Sequence, residues 1–225
     1  MKRKVRDLIL DFLVHMAALV IIALILLMTG YILFRGIPNI TAEFLTSKPS
    51  MVKETVGILP NIMNTLYIIF ITIIIVLPLG VGSAVYLQEY ASNRKAIKII
   101  ELATETLAGI PSIIYGLVGM LILVPGIRKI FSVPDGASLL AAIIVLAIMI
   151  LPSIIKVAVT SLEAVPKEYE DASLALGATP IETYFRVSVP AAKSGILAGV
   201  VLAIGRAIGE TMAVIMVIGG SPEMP

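Results

Sequence analysis

Five apolar runs, each long enough to cross a bilayer as a helix, constrain this chain more than any other feature of its sequence. They cover residues 12–34, 58–87, 106–124, 139–159 and 195–219. A helix of about 20 apolar residues spans the hydrocarbon core of a membrane. In lipid the backbone groups must bond to one another, so runs of this length predict helices. The sequence therefore predicts an all-α polytopic membrane helix bundle with five transmembrane helices.

The composition supports a membrane setting and excludes several functions. Of 225 residues, 59% are hydrophobic and 14% are charged. A soluble domain of this size cannot bury so much apolar surface. The net charge of +2 is too small to suggest a nucleic-acid partner. The chain has no cysteine and one histidine, so we expect no metal site, no catalytic residues and no cofactor in this chain.

The distribution of positive charge predicts the orientation of the bundle. With the N-terminus in the cytoplasm, lysines and arginines are about twice as frequent in the cytoplasmic segments as in the outer ones. The apolar run 12–34 follows the basic segment KRKVRD and is too long for a signal peptide, so it is an anchor. We therefore expect a single transmembrane domain, residues 1–225, with a cytoplasmic N-terminus.

The loop between the fourth and fifth runs, residues 160–193, is predicted to form a cytoplasmic helix–turn–helix. Pro166 can open a helix, and Gly177 can end it, because glycine tolerates the conformation of a helix C-terminal stop. Thr179 and Glu182 have the spacing of a capping box, so a second short helix begins there. Such a hairpin either joins two spans or docks a soluble partner, and the residues alone leave both possibilities open.

The last apolar run contains two opposite charges, Arg206 and Glu210. A charge in the bilayer centre is unfavourable, so it needs a partner or a function. In a continuous helix, residues four apart share one face. Two pairs of glycines with GxxxG spacing also allow close helix approach: Gly195 with Gly199, and Gly205 with Gly209. The charged pair is either a structural salt bridge or a site that handles an anion.

The predicted hairpin resembles the coupling motif of the permease subunits of ABC importers, which reads E-A-A-x3-G-x9-I-x-L-P. The spacing matches throughout, with Asp for Glu, Ser for Ala, and Val for both Ile and Leu. The coupling-loop residues that the resemblance identifies are Asp171, Ala172, Ser173, Gly177, Ala178 and Pro190. Pro190 is also expected to end the second helix. The resemblance implies that the loop docks a dimer of ATP-binding subunits.

Three further segments resemble the phosphate-uptake permeases of the PstA and PstC type. They are LPLGVGSAVYLQEYA (77–91), ETLAGIPSIIYGLVG (105–119) and GRAIGETMAV (205–214). The first two are more similar to PstA and the third to PstC. The resemblance implies import of inorganic phosphate across a prokaryotic plasma membrane. It also implies a second permease subunit, an extracytoplasmic phosphate-binding protein, and ATP and Mg on the partner ATPase.

The same resemblance implies that Arg206, Glu210 and Thr211 belong to the substrate pathway. Arginine suits phosphate because its planar fork donates two parallel hydrogen bonds and stays protonated. The alternative is a secondary transporter or channel for anions that uses the Arg206–Glu210 pair. Such proteins often contain inverted repeats and several intramembrane ionisable groups, and neither is evident here. Because these permeases usually have six core spans and end in the cytoplasm, we expect this chain to be truncated at its C-terminus and to lack the sixth helix.

The predicted orientation can be tested with single cysteines, since the chain has none of its own. Cysteine at Ser47 should react with a membrane-impermeant thiol reagent in intact cells. Cysteines at Ser92 and Thr179 should react only after the cells are opened. Reaction at Thr179 in intact cells would reverse the orientation and contradict the coupling-loop interpretation.

Overall fold

The computed structural model describes residues 2–50, 55–90 and 94–219, and in these ranges the chain forms helices and no extended strand. The helices are α1 Lys2–Gly36, α2 Ala42–Thr46, α3 Leu59–Val85, α4 Arg94–Gly109, α5 Ser112–Phe131, α6 Leu139–Glu163, α7 Lys167–Ala175, α8 Pro180–Ala191, α9 Lys193–Gly209 and α10 Met212–Ile218. The chain divides into two compact units, residues 1–59 and 60–225. Ser92, one of the proposed labelling positions, lies outside the described residues.

The helices confirm an all-α polytopic membrane bundle. Four segments are long and apolar enough to cross a membrane: Arg6–Asn39, Leu59–Gln88, Ser112–Phe131 and Leu139–Glu163. The pair α8 and α9, which bends by 66°, is a fifth candidate. The five predicted span boundaries, the cytoplasmic N-terminus and the single permease domain stay predictions.

In the first unit, α1 exposes apolar side chains around its whole circumference, and none of its most apolar stretch is buried. A helix that is hydrophobic on all faces suits a lipid environment. Beyond it, Thr41 caps α2 by accepting the Phe44 N–H at 3.1 Å. The hydroxyl of Ser47 is buried, so its exposed neighbour Lys48 is the better labelling position.

In the second unit, α6 is the central helix. Its side chains Leu146, Met149 and Ile150 are at most 1% exposed. They belong to an apolar core that also contains side chains from α3, α5, α9 and α10. Proline occurs within α6 at Pro152 and within α3 at Pro78, and both helices continue past it. The bundle is therefore built around one helix whose apolar side chains form most of the buried core.

Two of the predicted continuous spans are broken. In the run 106–124, one helix ends at Gly109 and the next begins at Ser112. Pro111 causes this break, because it has no N–H and disfavours helical geometry at the residue before it. Residues 106–109 belong to α4, an amphipathic helix that the sequence interpretation missed. The run 195–219 is interrupted between α9 and α10.

One of the two GxxxG pairs makes the predicted close approach. A Cβ atom at Gly195 or Gly199 would collide with Ser161 or Val157 of α6. By contrast, a Cβ atom at Gly205 or Gly209 would lie more than 4 Å from the neighbouring parts of the chain that the structure describes. Only the first pair therefore lets α9 lie against α6.

We expect Gly199→Leu to destabilise the bundle, because the added side chain must displace Val157 and separate α9 from α6. Overpacking of this kind costs about 1–3 kcal/mol or more. The matched control is Gly205→Leu, the same change on the same helix at a site with open space. Thermal unfolding in detergent should show a lower midpoint for the first variant only. Equal midpoints would contradict the packing of α9 on α6.

Candidate substrate pathway and coupling hairpin

The first hairpin helix ends in a turn at Gly177, as the sequence predicted. Gly177 has φ of +88°, in the left-handed region that glycine adopts without strain. Its N–H donates to the Leu174 carbonyl at 2.9 Å, and the Ala178 N–H donates to the Ser173 carbonyl at 3.3 Å. These two bonds define a Schellman motif. The prediction that Gly177 ends the first hairpin helix is confirmed.

The second hairpin helix, α8, begins with the predicted capping box. Thr179 Oγ1 accepts the Glu182 N–H at 3.3 Å, and Glu182 Oε2 accepts the Thr179 N–H at 3.1 Å. The backbone N–H of Thr179, its hydroxyl and the charge of Arg186 together lower the pKa of Glu182. Each favours the carboxylate because that form accepts hydrogen bonds and attracts a cation. The ionised form therefore caps α8 at neutral pH.

Pro190 does not end this helix, which corrects the sequence prediction. It lies within α8, which runs Pro180–Ala191 and contains a wider, π-helical turn from Tyr184 to Ser188. In that turn the Val189 N–H reaches the Tyr184 carbonyl. A turn of this kind changes the hydrogen-bond register just before the proline, which has no N–H to donate.

Buried polar contacts join the two hairpin helices. The hydroxyls of Ser173 and Thr183 lie 2.9 Å apart, and the Ser188 hydroxyl donates to Glu170 Oε1 at 2.9 Å. Thr183 and Ser188 are at most 1% exposed. Because these polar groups satisfy one another away from water, they favour one relative position of the two helices.

A second apolar cluster ties the hairpin to the ends of the long helices. Its members are buried side chains from α3, α6, α8 and the adjoining loops: Ala84, Val85, Ala158, Leu162, Val165, Tyr184 and Ala192. On the outer surface of the hairpin, Asp171 and Ala172 are exposed, and the side chain of Leu176 is 89% exposed. Sequence reasoning did not single out Leu176. The only signal in the sequence was its position directly before the turn glycine, Gly177.

Arg206 and Glu210 do not share a helix face, contrary to the sequence interpretation. α9 ends at Gly209, and Glu210 has an extended backbone, with φ −83° and ψ 104°. Arg206 Nη1 instead donates to Ser153 Oγ of α6 at 3.0 Å. Glu210 Oε1 accepts the Ala213 N–H at 3.1 Å and so caps α10. In the described ranges, no ion pair joins the two residues.

Glu210 and Thr211 lie together in one cavity of about 540 Å³, between the start of α3 and the break that joins α9 to α10. Asn61, Asn64 and Thr65 of α3 also line it. Arg206 does not line this cavity. The structure thus places two of the three predicted pathway residues together and directs the third towards α6.

A second cavity, of about 360 Å³, lies between α4, α6 and the end of α3. It contains Ser153, the partner of Arg206, together with polar and charged side chains that sequence reasoning missed: Glu101, Glu105, Lys156, Thr160 and Glu163. The available signal was the four-residue spacing of Glu101 and Glu105, which places both on one face of α4. The candidate site therefore includes residues beyond the three that the sequence predicted.

A polytopic helix bundle with polar cavities, and with a hairpin packed against the ends of its long helices, suits a membrane transport component. The family model described as "Binding-protein-dependent transport system inner membrane component" matches residues 76–224. This chain belongs to that family. It is a permease subunit of an ABC importer, and the ATPase activity of such importers lies in a separate subunit.

Individual relatives agree with this assignment. A probable ABC transporter permease protein of Bacillus subtilis, YqgI, is 33% identical over 97% of this chain and 72% of its own length. The phosphate transport system permease protein PstC of Mesorhizobium japonicum is 39% identical over 80% of this chain, which spans 61% of that relative. An inward-facing structure of the MetNI methionine ABC transporter matches with a TM-score of 0.54 and 25% identity, over 68% of each chain.

We expect Gly177→Val to disrupt the hairpin without unfolding the bundle. Valine strongly disfavours the left-handed backbone that this position requires, while no other described part of the chain crowds it. Gly177→Asn is the control, because asparagine tolerates this conformation better than other side chains. Co-purification of the ATPase should fall for the valine variant and stay near normal for the asparagine variant. A valine variant that retains its ATPase and full uptake would refute the docking role.

Proposed function

We propose that this chain is a permease subunit of an ATP-driven importer of inorganic phosphate in a prokaryotic plasma membrane. It resembles PstC, since the Mesorhizobium relative of that name is 39% identical. It forms the pathway with a second permease subunit, and an extracytoplasmic binding protein delivers phosphate. The observation that carries the proposal is an intramembrane arginine with no carboxylate partner in the described residues, held by the serine of a buried helix.

Arg206 is the proposed anion contact. Its bond to Ser153 uses one nitrogen, Nη1, which leaves further N–H groups of the guanidinium for a substrate. A guanidinium donates two parallel bonds to a tetrahedral oxyanion. A neutral serine partner keeps the positive charge available, whereas a paired carboxylate would compete with the anion.

Glu210 and Thr211 are proposed to act at the other cavity of the pathway. Thr211 offers a hydroxyl that can donate to an oxyanion. The carboxylate of Glu210 repels a phosphate dianion and so keeps its binding weak enough for release. Since Glu210 also caps α10, it fixes the start of that helix beside the cavity. The two cavities would then bind phosphate in succession.

The hairpin is the proposed coupling element. The dimer of ATP-binding subunits docks on the exposed surface around Asp171, Ala172 and Gly177, and those subunits hold ATP and Mg. A movement of the hairpin would be transmitted to α3 and α6 through Tyr184 and the apolar cluster around it. Because α6 also carries Ser153, the same helix links the docking surface to Arg206.

A secondary transporter or channel for anions is the competing function. It has less support, because the family to which the chain belongs works with a binding protein. The two proposals differ in their energy source. Uptake of phosphate into proteoliposomes containing the complete complex should require ATP and the binding protein. Uptake driven by an ion gradient without ATP would favour the alternative.

The role of Arg206 can be tested by Arg206→Lys, which keeps the charge and removes the planar fork. We expect phosphate uptake to fall at least about tenfold, the effect of losing one charge-assisted hydrogen bond. Co-purification of the partner subunits should be unchanged. The matched control is Arg128→Lys, on α5 away from the described cavities. Uptake at the normal rate by Arg206→Lys would contradict the anion-contact role.

A further inference from the structure

We propose that Lys156 forms a second anion-binding subsite for the transported oxyanion, in the cavity between α4 and α6, which phosphate occupies after it leaves Arg206. The inference rests on the proposed function and adds a residue and a step to it. Neither the coupling motif nor the charged pair in the last apolar run indicates this lysine. Its place in the fold does.

Lys156 and Ser153 line the same cavity of about 360 Å³. They are three residues apart on α6, so they occupy neighbouring positions on one face, separated by about 4.5 Å along the helix axis. Arg206 bonds directly to Ser153. The guanidinium of Arg206, which belongs to α9, therefore bonds to α6 one turn before the residue that carries the ammonium group. An anion could pass from the first cation to the second with a short movement.

The ammonium group of Lys156 is available to a ligand. Within the part of the chain that the structure describes, it forms no ion pair within 4.0 Å. The nearby hydroxyl of Thr160 donates to the backbone carbonyl of Lys156 at 3.0 Å and not to its side chain. A lysine offers three rotatable donors, which suits transient contact with a tetrahedral anion better than rigid bidentate capture.

Lys156 also lines a larger cavity, of about 670 Å³, between α6, the start of α7 and the start of α9. Ser161 and Ser194 contribute hydroxyl groups to that cavity. The lysine thus lies where the space beside Ser153 meets the space beside the hairpin. A residue that passes an anion onward must contact both spaces, and Lys156 lines both cavities.

Three carboxylates limit how long an anion can remain at this subsite. Glu101 and Glu105 of α4 and Glu163 of α6 line the cavity with Lys156. Glu163 Oε1 accepts a bond from Gln88 Nε2 at 3.1 Å, and that neutral partner does not cancel its charge. The surrounding negative charge opposes tight binding, so Lys156 provides a weak, transient site that favours release.

Cysteine substitution tests the subsite, because the chain has no cysteine. Lys156→Cys should lower phosphate uptake about tenfold in proteoliposomes that contain the complete complex with cysteine-free partner subunits. A cationic methanethiosulfonate that adds an aminoethyl group should restore uptake, and an anionic reagent of similar size should not. In nanodiscs, inorganic phosphate should slow modification of this cysteine, whereas chloride at equal ionic strength should not.

Lys98→Cys is the matched control, since Lys98 lies on α4 and does not line the cavity. Its uptake should stay near normal, and phosphate should not alter its modification rate. Normal uptake by Lys156→Cys, or equal effects of phosphate at both cysteines, would overturn the subsite. Two assays run in parallel separate the proposals. Uptake that needs no ATP would refute the proposed function, and full uptake by Arg206→Lys would refute the Arg206 contact, whereas normal behaviour of Lys156→Cys alone refutes only this inference.

Discussion

The burial of α6 is the constraint on which the rest of the second unit depends. Its side chains Leu146, Met149 and Ile150 are almost inaccessible, and the core around them draws on four other helices. In a membrane the hydrophobic effect does not drive helices together, so close packing must hold them. Gly195 and Gly199 supply such packing where α9 lies against α6. A polar group placed on α6 is consequently held in a defined position inside the bundle.

Ser153 is that polar group, and its bond to Arg206 determines how the intramembrane charge is presented. Insertion of an arginine into a helix bundle is unfavourable unless polar partners or a water-filled cavity receive it. Here the partner is neutral, and the acidic residue that sequence spacing had assigned to the arginine caps α10 instead. The arginine therefore keeps its full charge beside a cavity. This arrangement favours a function in anion transport over a purely structural role.

Much of the fold was predictable from local patterns. The apolar runs indicated an all-α membrane bundle, and the turn at Gly177 and the cap at Thr179 followed from residue preferences that act within a few positions. The break at Glu210 was not predicted, because the apolar run continues on both sides of it. Its carboxylate accepts the Ala213 N–H, a contact that a continuous helix would not contain. The partner of Arg206 is 53 residues away in sequence, and no local pattern reveals such a contact. α4 was missed because its polar face made it look like part of a loop.

In the proposed pathway, α6 holds Arg206 where it contacts the transported anion. A cryo-electron microscopy map of the assembled complex, trapped with inorganic phosphate, would show this contact. We expect tetrahedral density within about 3 Å of the Arg206 guanidinium nitrogens, a hydrogen-bonding distance. Phosphate density elsewhere in the pathway, with Arg206 still bonded to Ser153 alone in every trapped state, would show that this arginine is not the anion contact.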